Sequence, residues 1–237
     1  KGIVSSGLLK PILNHLEKSN ISYEIFQDVE SNPSDEVAEK GAMFAKNNDV
    51  DILVAIGGGS SIDAAKAISI LLSHNQKLIK YEGYDTLTND CFPVIAIPTT
   101  AGTGSEVTIW TVITNNETKK KFAIGSEKLA PVVALVDPEL TYTLPPGLTS
   151  STGIDALTHA IEAYTSKRAN IITDQLALEA IRLIAKYIKR ATYNSHDYEA
   201  KSAMLLASLI AGIAFNNSDL GAVHCMSEAV GGLYNTP

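Results

Sequence analysis

Cysteine is scarce in this sequence: Cys91 and Cys225 are the two present. Two thiols cannot build a disulfide framework, so a reducing cytoplasm is the default compartment. Basic stretches are missing as well. Acidic residues outnumber basic ones, 26 to 19, for a formal charge of -7, and the two signs are interspersed. Without a basic stripe there is no electrostatic footprint for nucleic acid. No uninterrupted apolar run reaches the ~18 residues of a membrane span, and no signal peptide is visible. The partners expected are therefore neither nucleic acid nor membrane. Internal repeats and low-complexity tracts are also absent.

What remains is ordinary globular composition, 45% apolar and 19% charged over 237 residues. That is enough for one large domain or two modest ones. The chain opens on Lys1 rather than Met and stops at Asn235-Thr236-Pro237, just after a helical pattern. Both ends read as cuts in a longer protein.

Apolar residues recur at helical spacing over 6–18, with Pro11 tolerable in a first turn. ISYEIF (21–26) reads as a strand. Ser34 caps a helix to Asn47. ILVAI (52–56) and PVIAI (93–97) are continuous apolar runs, the pattern of strands buried on both faces of a parallel sheet. A helix over 60–73 lies between them. This alternation predicts a doubly wound α/β unit. Segments 107–114 and 120–136 read as further strands. After Pro145-Pro146-Gly147 strand patterns stop, and 151–165, 170–191, 197–214 and 219–231 read as helices. The expected division is an α/β domain over 1–146 and a helical domain over 147–237.

Gly57, Gly58, Gly59 and Ser60 join a buried strand to a helix. Glycines there let backbone N–H groups approach a pyrophosphate, and a helix N-terminus adds free donors. The G-x-G-x-x-G fingerprint is absent, and a tight strand-to-helix turn explains the same residues. Thr99, Thr100 and Thr103 sit in a second loop at the end of the next strand, with hydroxyls able to bond a cofactor. A plain polar turn fits equally well. Asp155 and His159 are four apart and share a helix face. They suit half of a metal site, or a first-turn Asp and a structurally satisfied His. His224 lies on a later helix. His15, His74 and His196 sit among polar neighbours and are expected in solvent.

Five segments taken together resemble the iron-containing (group III) alcohol dehydrogenase family: GGGSSIDAAKAI (57–68), IPTTAGTGSEVT (97–108), VDPELTYTLPP (136–146), STGIDALTHAIEAYTS (151–166) and GAVHCMSEAVGGLYNTP (221–237). They occur in the family's order and cover essentially the whole chain. The resemblance implies an N-terminal parallel-sheet, Rossmann-like dinucleotide-binding domain followed by an all-helical C-terminal domain. It implies Asp155, His159 and His224 as metal ligands, with iron(II) first and zinc next. It implies NAD or NADP held by Gly57, Gly58, Gly59, Ser60 and Asp63. Thr99, Thr100, Thr103 and Lys121 would line the nicotinamide and ribose region, Asn32 the adenine side, and Thr141 a bordering stretch. A homo-oligomer and a small alcohol or aldehyde substrate follow from the same resemblance.

The sequence departs from the family pattern in four ways. The family's fourth ligand, a histidine, would follow Pro237. The strand whose acidic end separates NAD from NADP would precede Lys1. A second histidine common four residues after the ligand in the last helix is Glu228 here, either a proton relay or a solvated glutamate. Trp110 stands where some members carry a polar side chain.

The expected chemistry is reversible hydride transfer between a small primary alcohol or diol and NAD(P), an oxidoreductase acting on CH–OH, with the metal polarising the substrate oxygen. Two alternatives stand beside it. One is a zinc-dependent, glycerol dehydrogenase-like enzyme. The other is a 3-dehydroquinate synthase-like lyase using NAD and a metal, which needs a basic cluster that Lys121 and Arg168 alone do not supply.

Overall fold

The computed structural model describes residues 2–5 and 7–234. Ser6, where the first helical pattern begins, and the closing Asn235-Thr236-Pro237 lie outside the described residues. A short helix α1 (Gly2–Ser5) precedes α2 (Leu9–Lys18), which carries Pro11 in its first turn.

The strand expected over 21–26 does not form: these residues make no ladder. A strand exists by pairing with a neighbour, and among the described residues none lies beside this segment. Phe26 anchors it instead, packing on Phe44 at 5.7 Å between ring centroids. Helix α3 (Asp35–Asn47) starts as expected, with the Ser34 hydroxyl accepting from the Val37 amide.

Next come β1 (Leu53–Gly57), α4 (Gly59–Ser73), β2 (Gly83–Tyr84) and β3 (Val94–Pro98). The stretch 107–136 divides into a 3-10 turn (Ser105–Val107), β4 (Trp110–Thr114), β5 (Lys121–Gly125) and β6 (Val133–Ala134). The strand expected over 120–136 is thus broken by a 3-10 turn at Glu127–Leu129, which the Ser126 hydroxyl caps. One sheet is parallel, in the order β1-β3-β6; the other runs β2-β5-β4, with β4 and β5 antiparallel. Ile68 and Ile70 of α4 pack with Ala38, Ala42, Ile113 and Ile124 in the largest cluster under the strands.

From Pro146 onward the described chain is helical: α5 (Pro146–Thr165), α6 (Ile171–Tyr193), α7 (Tyr198–Ser218) and α8 (Ala222–Tyr234). Pro146 is preorganised for a first helical position, which is why α5 begins five residues before its apolar pattern. Asn170 and Thr173 form a reciprocal capping box on α6. Buried alanines on α5, α6 and α7 (Ala156, Ala160, Ala180, Ala207 and Ala211 among them) let the three helices approach closely. By length and composition α7 is apolar enough to span a bilayer, although its sequence is interrupted by polar residues. Here its apolar side chains serve the packing against α5 and α6.

His74 corrects an expectation. It is buried rather than solvated, with Nδ1 at 3.2 Å from the Ile70 carbonyl and Nε2 accepting from the Asn89 amide. Its polar sequence neighbours concealed a role in closing the C-terminus of α4. His15 and His196 are exposed, as expected.

Candidate metal and cofactor site

The parallel register pairs Gly57 with Pro98, so the loops leaving β1 and β3 emerge at the same sheet edge. That edge, beyond the carboxyl ends of parallel strands, is where open α/β sheets bind ligands. The Thr99 amide donates to the Gly57 carbonyl at 2.9 Å and fastens the loops together. Gly57 has φ +155° and lies so close to Ser61 that a Cβ would meet its Oγ at 2.3 Å. A Cβ on Gly58 would meet Thr100 Oγ1 at 3.1 Å, and one on Gly59 would meet Thr103 Cγ2 at 2.6 Å. Gly59 is therefore required by the threonine loop lying across it, Gly57 by its own φ and by Ser61, and Gly58 leaves Thr100 only a tight fit. No side chain caps the start of α4 at Gly58, and Ser60 sits half-buried in that first turn.

The other expected cofactor residues are placed less uniformly. Asp63 is turned into the protein: its carboxylate accepts from the Ser105 hydroxyl at 2.7 Å and from the Val112 amide at 3.3 Å. Burial raises its pKa, against the pull of Lys66 and these hydrogen bonds. Thr141 is enclosed too, its hydroxyl donating to Pro138 O within its own turn. Asn32 (φ +53°) sits before Pro33, beside the end of β4, where the Thr114 amide donates to Pro33 O. Lys121 opens β5 and is packed by Gly232 of α8. Arg168 is exposed on the surface and pairs with Asp219 at 3.4 Å, so it adds no positive charge to this edge.

The metal candidates converge. One ligand atom from each of Asp155, His159 and His224 lies within 4.8 Å of the others. His159 Nδ1 is 3.8 Å from Asp155 Oδ2, and His224 Nε2 is 3.7 Å from Asp155 Oδ1. The two imidazoles stack at 4.1 Å, and His159 also stacks on Phe215 at 4.5 Å. His159 Nδ1 is a buried nitrogen without a hydrogen-bond partner. Such an orphan beside a carboxylate and a second imidazole is what a site for a divalent cation with mixed N and O donors presents. Burial pushes the His159 pKa down to about 4, so the ring is neutral near pH 7, the form that binds a metal. The three residues present fit a divalent cation.

Sequence reasoning missed Glu162. It is buried, its Oε1 accepts from the Val223 amide at 2.7 Å, and its Oε2 makes a short hydrogen bond with His224 Nδ1. Burial opposes its charge, but His224 and the amides of Val223 and Gly221 outweigh this and hold its pKa below the usual value. An ionised carboxylate only accepts, so Nδ1 is the donor and Nε2 is the nitrogen that faces Asp155. Burial opposes the charge of His224, but the two flanking carboxylates raise its pKa. The available signal was spacing: 155, 159 and 162 lie on one helix face. Gly102 was also missed as a link. It packs on Thr152 of α5, and its backbone pulls the His159 pKa upward against burial. The threonine loop therefore touches the glycine loop at one end and the helix that carries two metal candidates at the other. Glu228 lies half-buried on α8, one turn beyond His224, and burial raises its pKa against the opposing charges of Lys121 and His224.

Residues 1–138 match the model of iron-containing alcohol dehydrogenase, and 149–237 match the C-terminal model of the Fe-containing alcohol dehydrogenase family. The chain is 45% identical over 234 residues to a 1,3-propanediol dehydrogenase of Klebsiella pneumoniae, spanning 99% of this chain and 60% of that protein. It is 44% identical over 230 residues to an NAD-dependent methanol dehydrogenase of Bacillus methanolicus, spanning 97% and 60%. The crystal structure of a 1,3-propanediol oxidoreductase superposes with a TM-score of 0.97 at 46% identity, covering all of this chain and 62% of that one. The chain thus spans about 60% of the length of the relatives it matches. The chain belongs to the iron-containing alcohol dehydrogenase family.

Proposed function

We propose that this chain carries the cofactor loop and most of the metal site of an NAD(P)-linked, metal-dependent dehydrogenase that interconverts a small primary alcohol or diol with its aldehyde. The observation that carries this reading is the convergence of Asp155, His159 and His224 at the far end of a loop whose threonines lie on Gly58 and Gly59.

Asp155, His159 and His224 would hold the cation, which when bound supplies Lewis-acid polarisation of the substrate oxygen. Iron(II) and zinc both accept such a donor set; iron is placed first on the family's description. Nicotinamide supplies the hydride acceptor. Gly57, Gly58, Gly59 and Ser60 present backbone donors to the dinucleotide's phosphates, while Thr99, Thr100, Thr103 and Lys121 shape its reactive end, Asn32 its adenine side and Thr141 a border. Asp63 acts from beneath, bracing the loop rather than reaching the ligand. NAD is favoured over NADP because a relative's name specifies NAD. Glu228 passes the substrate proton toward solvent.

The chain divides functionally into residues 1–146, which bind cofactor, and 147–237, which bind metal. The enzyme works in a reducing cytoplasm as a homo-oligomer; the two free cysteines support the compartment.

The test is NAD(P)H absorbance with a panel of short alcohols and diols, on holoenzyme stripped of metal and reloaded with iron(II) or zinc. Turnover that disappears on stripping and returns on reloading is expected. Full turnover in the stripped protein overturns the Lewis-acid assignment.

A further inference from the structure

Lys201 stands in the first turn of α7 with 2% of its surface exposed. Its ammonium donates to the Thr141 carbonyl and to the Thr149 hydroxyl, each at 3.2 Å. Neither partner carries a charge, and burial lowers the Lys201 pKa. Burying a charge is unfavourable, and an apolar side chain of similar length would fill the same space without that cost. The position of the two acceptors explains the lysine.

Thr141 ends the 3-10 turn Pro138–Thr141, in the stretch proposed to border the cofactor. Thr149 lies in the first turn of α5, which runs on to Asp155 and His159. One acceptor thus belongs to the cofactor side and the other to the metal side. Between them the chain passes through Pro145 and Pro146, which have no N–H to donate. Backbone hydrogen bonds close each side separately: the Leu144 amide donates to Thr141 O at 3.2 Å, and the Thr149 amide to Pro145 O at 2.9 Å. Lys201 reaches both sides at once. Its own base is fixed. Asp197 accepts from the Ala200 amide at 3.0 Å, and the same carboxylate accepts from Arg190 of α6 at 2.9 and 3.0 Å. Three residues beyond Lys201, α7 lies so near α5 that a Cβ on Gly153 would meet Met204 Cε at 2.8 Å.

We propose that Lys201 is a positioning residue for hydride transfer: from a fixed point on α7 its ammonium holds the 138–141 turn at one distance from the start of α5, and so sets the spacing of the cofactor side from the metal side. This rests on the dehydrogenase reading of the two sites.

Two variants of the complete, metal-loaded enzyme test it. Lys201→Met keeps the apolar stem and removes the donor; Lys201→Arg keeps charged donors for both oxygens. NADH affinity is read by the fluorescence of the bound cofactor, and iron(II) affinity by competition with a chelator. Hydride transfer is read as the single-turnover rate of NADH formation from a short primary alcohol. A slower rate with the C1-deuterated alcohol identifies the step. In Lys201→Met both affinities should stay within about threefold of wild type, because each site keeps its own residues. The single-turnover rate should fall about tenfold, since reacting groups held at a wrong separation lose at least that much. Lys201→Arg should stay within about threefold of wild type in all three quantities. An unchanged rate in folded Lys201→Met overturns the proposal. So does a loss of NADH or iron(II) affinity as large as the loss of rate, which would put Lys201 inside one site and not between the two. Equal slowing of Lys201→Arg and Lys201→Met is also fatal, since it would mean filled volume rather than donation. Should Lys201→Met fail to fold, Thr149→Val, which removes one acceptor at constant shape, decides: an unchanged rate there overturns the proposal too. A wild-type enzyme that oxidises no primary alcohol sinks the dehydrogenase reading itself, a distinguishable failure.

Discussion

Glu162 decides which nitrogen of His224 faces Asp155. One of its oxygens accepts a hydrogen bond from the Nδ1–H, while the other accepts from the Val223 amide at the start of α8. One side chain therefore sets both the tautomer of a ligand and the seating of the helix that carries it. Partners of this kind are typically worth ~10–100-fold in metal affinity. Glu162→Gln can donate as well as accept and leaves the tautomer unfixed. Its iron(II) affinity, measured by competition with a chelator, should fall within that range while the helical content stays unchanged. Glu228 poses a different question. Burial raises its pKa, so as a base it becomes competent at higher pH than an ordinary carboxylate. The wild-type kcat should therefore climb along a limb lying above the usual carboxylate range. Glu228→Gln should lose that limb in a pH–rate profile, and an unaltered profile removes the relay. Asp155, His159 and His224 were legible as a set in the sequence through family resemblance, and helical spacing alone offered only the first two. Glu162 was not, because a glutamate in a helix is usually solvated and nothing in its own residue type marks it as buried. His74 was misjudged for the same reason.

At the scale of elements, what was legible followed from local physics. The runs ILVAI and PVIAI form adjacent parallel strands as expected, but burial on both faces does not hold for the first, where Ile52 and Val54 are exposed. Ser34 starts α3 because its hydroxyl meets a free amide. ISYEIF had the residue types of a strand, yet pairing is decided by what lies alongside, which residue types do not encode. The break at 127–129 was missed because the Ser126 cap competes locally with the strand. The glycine loop adds a graded test. Gly59→Ala sets a Cβ 2.6 Å from Thr103 Cγ2, whereas Gly58→Ala meets Thr100 no closer than 3.1 Å. Thr103 is β-branched and held among its neighbours, so it yields only if the loop moves. Gly59→Ala should weaken NAD(P)H binding by about tenfold, ~1.4 kcal/mol, and Gly58→Ala by less, as read by cofactor titration. The reverse order would mean that the threonine loop does not form the lid of the cofactor cradle.

Across the whole molecule the sheet and the helices meet along one seam. Gly102 rests on α5, Gly104 crosses α7 against Gly212, and Gly232 of α8 packs on Lys121 at the start of β5. The glycine loop and the helix of two metal candidates are thereby built on opposite sides of a single loop, and neither half alone positions both. This juxtaposition was not in the periodicity of any segment, since it depends on how α5 to α8 pack back on the strands. The central claim is that Asp155, His159 and His224 share one cation at this seam. Its most direct test is a crystal structure of the iron-loaded holoenzyme, with anomalous diffraction recorded at the iron edge. A single anomalous peak about 2.0–2.2 Å from one oxygen of Asp155 and one nitrogen each of His159 and His224 is expected. A peak elsewhere, or full iron occupancy with any of these three side chains turned away from it, would contradict the account.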